Sequence, residues 1–267
     1  MVTFKHVSKA YKDGSVAVRD LNFTVEDGEF VVLIGPSGCG KTTTLKMVNR
    51  LIEPTSGELY LFDKPAVSWS KVELRRKIGY VIQSIGLLPH LTVAQNIALV
   101  PELLGWSKNK QQQRVDELLQ LGGMDPATFR HRYPAQLSGG QQQRIGVLRA
   151  LAADPELILM DEPFGALDPL MREQLQIELK NIKERLKKTI IFVTHDLNEA
   201  LFLADRIIIM KEGMVVQDDT PEGVCQSPVN KFVAHFVHRA LSPAVPTTIV
   251  SRLRPERVVA ISNRRRS

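Results

Sequence analysis

Apolar and polar positions along this chain fall into two alternating patterns. Residues 30–34, Phe30-Val31-Val32-Leu33-Ile34, form an unbroken apolar run, and residues 157–160 and 189–193 are similar. Short runs of this kind belong to strands covered on both faces, the habit of parallel sheets. Between them the spacing is helical. Leu45, Val48 and Ile52 share one face after residue 40. Val115, Leu118 and Leu119 form a stripe closed by Gly122-Gly123, and Leu175, Leu179, Ile182 and Leu186 form another over residues 171–186. Asp125-Pro126 reads as an N-cap followed by proline at the first helical position, and Pro134 stops that region. Residues 16–25 mix β-branched and polar side chains before the turn Glu26-Asp27-Gly28-Glu29. A helix opens at Asp196, and residues 206–210 and 214–217 flank Lys211-Glu212-Gly213, a hairpin signal. The alternation predicts an α/β fold with a mainly parallel sheet, into which a largely helical stretch, about residues 87–133, is inserted.

Composition changes this picture little. A length of 267 residues suits one domain, or one domain with a tail, and 43% hydrophobic residues suffice for a buried core. No stretch approaches eighteen consecutive apolar residues, so no spanning helix is predicted, and residues 1–6 hold no apolar secretory core. Cys39 and Cys225 suggest no disulfide framework, and a reducing cytosol is the default. The net charge of +6 sits largely late, at Arg252, Arg254, Arg257, Arg264, Arg265 and Arg266. It suits phosphate ligands, nucleic acid or an anionic membrane face, and the plainer reading of residues 241–267 is a solvated basic tail.

Chemistry enters at Gly35-Pro36-Ser37-Gly38-Cys39-Gly40-Lys41-Thr42, which fits G-x-x-x-x-G-K-[ST] between a strand and a helix. The glycines let several backbone N–H groups converge on one oxyanion, and the helix adds its positive end. Lys41 is placed to reach the β- and γ-phosphates of a nucleotide, and Thr42 offers a hydroxyl to Mg²⁺. Asp161 follows the apolar run at 157–160, where a carboxylate at a parallel strand's C-terminal edge faces the ligand crevice. It is the natural second Mg²⁺ ligand, and Glu162 beside it is a candidate general base for an attacking water. A second anion-binding helix end is predicted at Leu137-Ser138-Gly139-Gly140-Gln141, where Ser138 and Gln141 make an S-x-x-Q capping box. A plain cap explains Ser138 and Gln141 but not the two glycines, which leave N–H groups open.

These motifs together resemble the ATPase subunits of ABC transporters: Leu137 to Gln141 as the signature, Gly35 to Thr42 as Walker A, Asp161-Glu162 as Walker B. The resemblance covers about residues 1–240. It implies a P-loop NTPase (RecA-like) core with a mainly parallel sheet, an N-terminal antiparallel β subdomain and an α-helical subdomain at about 87–140. It implies ATP and Mg²⁺ as cofactors and a head-to-tail dimer in which Ser138, Gly139, Gly140 and Gln141 bind the γ-phosphate held by the opposite subunit. Thr43, next to the loop, joins the nucleotide contacts. Tyr11 corresponds to the aromatic that stacks on adenine. Gln83 corresponds to the glutamine that senses Mg²⁺ and water and relays to the permease. Ala166-Leu167-Asp168 corresponds to the loop that crosses the dimer interface, and His195 to the switch histidine near the γ-phosphate. Taken singly, each has a plainer reading: a half-buried aromatic, a polar strand end, a helix cap before Pro169, a structural histidine. Their joint order along the chain favours function. Gly165 stands where many relatives have serine, with no expected loss of hydrolysis.

Residues 79–90, 96–101 and 45–52 further resemble the quaternary-amine importers, which take up glycine betaine, carnitine or choline as osmoprotectants. The expected partners are a second copy, integral membrane permease subunits and, indirectly, a substrate-binding protein, with no nucleic acid. The expected location is peripheral, at the cytoplasmic face of the cell membrane. Many relatives carry paired CBS modules after the ATPase. Here about 30 residues follow Arg239, and Ile249-Val250 and residues 258–261 read as the possible start of such a module. Import of another small solute, such as an amino acid or sulfonate, and a soluble non-transport ABC ATPase are the alternatives.

Overall fold

The computed structural model describes residues 1–82, 86–165 and 167–241, with residues 185, 186 and 239–241 described by their backbone. The first half of the chain runs β1 (Val2–Ala10), β2 (Val16–Val25), β3 (Phe30–Ile34), α1 (Lys41–Val48), β4 (Ser56–Leu61), β5 (Lys64–Pro65), α2 (Lys71–Lys77) and β6 (Ile78–Val81). Four helices follow: α3 (Val93–Leu103), α4 (Lys108–Leu121), α5 (Pro126–Phe129) and α6 (Gly139–Leu151). Then come β7 (Leu157–Asp161), α7 (Pro169–Leu186), β8 (Thr189–Thr194), α8 (Leu197–Leu203), β9 (Arg206–Lys211), β10 (Met214–Asp219), α9 (Pro221–Gln226) and α10 (Lys231–Leu241).

The unbroken apolar runs become the centre of a six-stranded sheet ordered β10-β9-β3-β8-β7-β6. Its pairs are parallel except the β9–β10 hairpin. The strand period of two sends alternate residues to opposite faces. Phe30, Val32, Ile34, Ile158, Met160, Ile190 and Phe192 enter one core with the helices. Val31, Leu33, Leu157, Leu159, Ile191 and Val193 enter a second core, shared with an antiparallel sheet ordered β2-β1-β4-β5. Both faces of β3 are therefore covered, which is why its pattern shows no polar alternation. In the second core Phe4 stacks on Phe23 with ring centroids 4.4 Å apart.

The inserted helical stretch packs through Val93, Ile97, Val115, Leu118 and Leu119 into the same core as α6. The loop before α3 is pinned by Asn96, which is fully buried. Its Oδ1 accepts from Leu88 N at 2.8 Å, and its Nδ2 donates to the carbonyls of Leu88, Leu91 and Thr92. Asp125 caps α5 with Pro126 at its first position, and Gly122 caps the end of α4.

Two helix boundaries differ from the sequence pattern. The helix after the glycine-rich loop ends at Val48, so Ile52 packs on the second core from a turn. The helix is closed by Arg50 in the left-handed region at φ 47, with Leu51 N donating to Lys46 O at 2.9 Å and Arg50 N to Met47 O at 3.0 Å. Arg75 of α2 then takes up the carbonyls of Asn49 and Arg50 just beyond, at 3.2 and 2.8 Å. Helix α7 starts at Pro169, capped by Asp168, two residues before the apolar stripe would place it.

Candidate active site

The glycine-rich loop leaves β3 and enters α1 between two neighbouring carbonyls. Gly35 has φ 154, and a Cβ there would lie 2.1 Å from Met210 O of β9. Gly40 has φ 104, and a Cβ there would lie 2.4 Å from Ala17 O of β2. Any side chain at either position would displace backbone, so both motif glycines are obligatory for packing as well as for the turn. The β9–β10 hairpin braces the loop from outside: Gly213 N donates to Cys39 O at 3.1 Å, and Gly213 O accepts from Arg19 N at 2.8 Å.

Gly40 supplies no side-chain cap to α1, so the first-turn N–H groups keep their positive end open toward Pro36, Ser37 and Gly38, all exposed. Lys41 is buried, and its Nζ donates to the carbonyls of Gly35 at 2.8 Å and Pro36 at 3.1 Å. Burial pushes the Cys39 thiol up against the opposing pull of Lys41, so Cys39 packs as a neutral thiol. Tyr11 is 42% exposed and its hydroxyl lies 3.4 Å from Thr43 Oγ1, which sets an aromatic face beside the start of α1.

Thr42 and Asp161 meet at the sheet's C-terminal edge, where the Thr42 hydroxyl donates to Asp161 Oδ1 at 2.8 Å. Burial pushes the Asp161 carboxyl above the usual carboxylate range; the Thr42 hydroxyl and the ammonium groups of Lys46 and Lys41 pull it back. Among the described residues no group of three or more His, Cys, Asp or Glu side chains is gathered to hold a metal ion. One carboxylate with one hydroxyl is a hard-oxygen pair that suits Mg²⁺ when phosphate oxygens complete the shell.

Glu162 and His195 come together through strand register. Asp161 of β7 pairs with Val193 of β8, and Glu162 N donates to Val193 O at 2.9 Å. Glu162 then turns into the left-handed region at φ 45, a conformation disfavoured for a residue with a Cβ. Its Oε2 lies 3.3 Å from His195 Nδ1. A Cβ at Gly165 would lie 3.9 Å from Glu162 Oε2, an ordinary contact, so a small side chain fits there.

The second helix end forms as the residues require. Ser138 caps α6, with Gln141 N donating to Ser138 Oγ at 3.3 Å and Ser138 N to Gln141 Oε1 at 3.0 Å. A Cβ at Gly139 would meet nothing within 4 Å, whereas one at Gly140 would lie 2.6 Å from Met171 Cε in the first turn of α7. A side chain at Gly140 would thus require the flexible tip of Met171 to move aside, whereas Gly139 faces open space. Asp168 caps α7 by accepting from Met171 N at 3.1 Å. Gln83 and Ala166 lie outside the described residues.

A buried acid was missed in the sequence. Glu199 in α8 is 5% exposed and accepts a 2.6 Å hydrogen bond from the Thr194 hydroxyl. It follows Asp196 at capping-box spacing, which reads from sequence as a surface helix start. Burial pushes its carboxyl up to about 7, with Thr194, Arg172 and His195 pulling it down and Asp196 adding to the rise. The folded value lies above the unfolded one near 4.5, so the fold favours the protonated acid. Ionisation of this group therefore adds no cost at low pH and destabilises increasingly between about pH 4.5 and 7, by on the order of 2–3 kcal/mol above that range. Glu199→Gln is expected to melt higher than wild type at about pH 8 and to lose that advantage at about pH 5, as read by thermal unfolding at both.

The family model described as ABC transporter matches residues 18–165. The carnitine transport ATP-binding protein OpuCA of Listeria monocytogenes serotype 1/2a (strain 10403S) is 60% identical over 237 residues, which is 89% of this chain and 59% of that protein. The glycine betaine/carnitine/choline transport ATP-binding protein OpuCA of Bacillus subtilis (strain 168) is 54% identical over 264 residues, 99% of this chain and 68% of that protein. The chain thus spans about three fifths to two thirds of the length of these relatives. A dimeric, post-hydrolysis structure of the ATP-binding cassette MJ0796 bound to ADP and Pi superposes with a TM-score of 0.74 at 39% identity, covering 83% of this chain and 99% of that one. The matched segment contains the glycine-rich loop, the Thr42–Asp161 pair, Glu162 and the Ser138–Gln141 helix start, so the chain belongs to the ABC transporter family, in its ATP-binding cassettes.

Proposed function

We propose that this chain binds and hydrolyses ATP as the motor subunit of an importer for quaternary-amine osmoprotectants, working as a head-to-tail dimer against membrane permease subunits. The observation that carries hydrolysis is that Thr42–Asp161 and Glu162–His195 share one sheet edge beside the phosphate loop. The cradle fits a nucleotide triphosphate: two glycines that backbone crowding enforces, an uncapped helix start and a buried lysine. Gly35 to Thr43 would hold the phosphates and Tyr11 the adenine. Thr42 and Asp161, with Gln83, would hold Mg²⁺, which when bound neutralises phosphate charge. Glu162 takes the proton from the attacking water, and His195 holds that carboxylate in place through its Nδ1 contact.

Gly139 supports the dimer. It is the open position of a capped helix start, and a partner's γ-phosphate is what such a position is shaped to receive. The printed roles of the relatives in carnitine, glycine betaine and choline transport support the cargo class. No helix among the described residues is long and apolar enough to cross a membrane. In this reading the chain works from the cytoplasmic face through permease subunits, as the relatives' roles in transport support, with a substrate-binding protein engaged indirectly and no nucleic acid in the cycle.

The test is ATP-driven uptake by the full complex reconstituted in vesicles, with labelled betaine, carnitine and choline in separate arms. Uptake of at least one of them, abolished by removing Mg²⁺, is expected. ATP hydrolysis coupled to an amino acid or sulfonate would overturn the cargo and keep the motor. Absence of ATP hydrolysis by the complex would overturn both.

A further inference from the structure

We propose, resting on the hydrolytic reading above, that Glu199 is a positioning residue that fixes His195 against Glu162 and ties it to the loop entering α7. His195 is 59% exposed, so packing of its own ring constrains it little. Its place is set by its neighbours on either side. The buried Thr194 hydroxyl donates to Glu199 Oε2 at 2.6 Å and accepts from Asp196 N at 3.0 Å. One carboxylate and one hydroxyl therefore clamp the backbone immediately before and after the histidine.

Glu199 is not serving its own helix. It stands three residues after the N-cap Asp196, where a capping-box glutamate would accept from the cap's backbone N–H. Here that N–H goes to Thr194 Oγ1, and the carboxylate turns inward instead. Burying a carboxyl at this point is costly, and a leucine would serve a plain core better. Its second oxygen faces α7, where Gln176 Nε2 donates at 3.5 Å and Arg172 Nε lies 3.8 Å away. Arg172 also reaches Asp196 at 3.7 Å and donates to Leu167 O at 3.4 Å. The loop carrying Asp168 and the strand end carrying His195 thus share one buried acid. Through Arg172 and Glu199 the start of α7 is thereby placed next to the residues that set the His195–Glu162 contact.

Glu199→Ala, Glu199→Gln and Thr194→Val are compared with wild type in the full complex, reading kcat, KM for ATP and melting temperature. Thr194→Val keeps volume and strand preference while removing the hydroxyl link. The expectation is that Glu199→Ala and Thr194→Val each lower kcat about tenfold or more with KM within about twofold, the pattern of an interaction acting on the chemical step. Glu199→Gln, whose amide oxygen still accepts from Thr194, is expected to retain at least about half of kcat. Unchanged kcat in Thr194→Val, or a rise in KM and a fall in melting temperature in step with any loss of kcat, would overturn the proposal, because a merely structural role predicts the latter. If Glu199→Ala does not fold, Thr194→Val decides alone. A wild-type complex without ATPase activity refutes the hydrolytic reading itself, whereas an active wild type matched by Glu199→Ala and Thr194→Val refutes this inference alone.

Discussion

Glu162→Gln lowers ATP turnover about a hundredfold or more while leaving ATP binding intact, measured as phosphate release by the full complex and as equilibrium nucleotide binding. The amide replaces a carboxylate of the same shape at a site where shape is already dictated. Glu162 N is held by Val193 O at 2.9 Å, and the backbone at φ 45 aims the side chain toward His195. The groups proposed to hold phosphate, Gly35 to Thr42, lie in the loop between β3 and α1 and in the first residues of α1, and do not pass through residue 162. Binding and turnover should therefore separate. The amide cannot take a proton from water, which removes the general-base contribution, and it stays within reach of His195 Nδ1 at a position now 3.3 Å from Oε2. A variant that hydrolyses ATP at the wild-type rate would disqualify Glu162 as the base. One that fails to bind ATP would show that the residue shapes the phosphate site. Because turnover stalls with nucleotide bound, the same variant is expected to accumulate as an ATP-bound dimer on size exclusion.

Much of this site was legible because it is local in sequence. The loop at 35–42 declares itself through spacing, and Ser138 with Gln141 forms the capping box that spacing predicts. The apolar runs at 30–34, 157–160 and 189–193 became neighbouring central strands. What stayed hidden depends on residues far apart in the chain. The reasons for Gly35 and Gly40 are carbonyls of Met210 and Ala17, which no local pattern announces. The approach of Glu162 to His195 is a consequence of β7–β8 register. The early end of α1 at Val48 comes from Arg50 turning left-handed at φ 47, a conformation an arginine does not advertise, with Arg75 of another helix holding the carbonyls just beyond. Glu199 was concealed for a different reason: an acid at the third position of a helix is ordinary on a surface, and its inward turn is visible once Thr194 is seen to hold Asp196 N. Asp168 kept two readings in the sequence; the structure makes it the cap of α7, and a role across a dimer is compatible with that.

The strongest test of the dimer uses two damaged chains that should repair one another. Gly139→Asp places a carboxylate at the first turn of α6, where a Cβ meets nothing within 4 Å and an acidic residue suits the helix dipole. The fold should be unaffected, and its melting temperature should match wild type. In the head-to-tail arrangement that carboxylate faces the partner's γ-phosphate, and like charges in a closed site repel strongly. Lys41→Ala removes the buried ammonium from the other half of the same composite site. With Glu162→Gln added to each chain to prevent turnover, neither variant alone should form dimers with ATP at concentrations where the parent does. Mixed, they build one site with both defects and one with neither, since Lys41 and Gly139 of one site come from different chains. The mixture should recover ATP-dependent dimers that hold one nucleotide per pair, read by size exclusion with nucleotide quantification. If Gly139 acted on the phosphate loop of its own chain, every chain in the mixture would carry one defect in its only site, and no dimer would return. If Gly139→Asp alone dimerised like the parent, the open helix start at Ser138 would be a cap and nothing more.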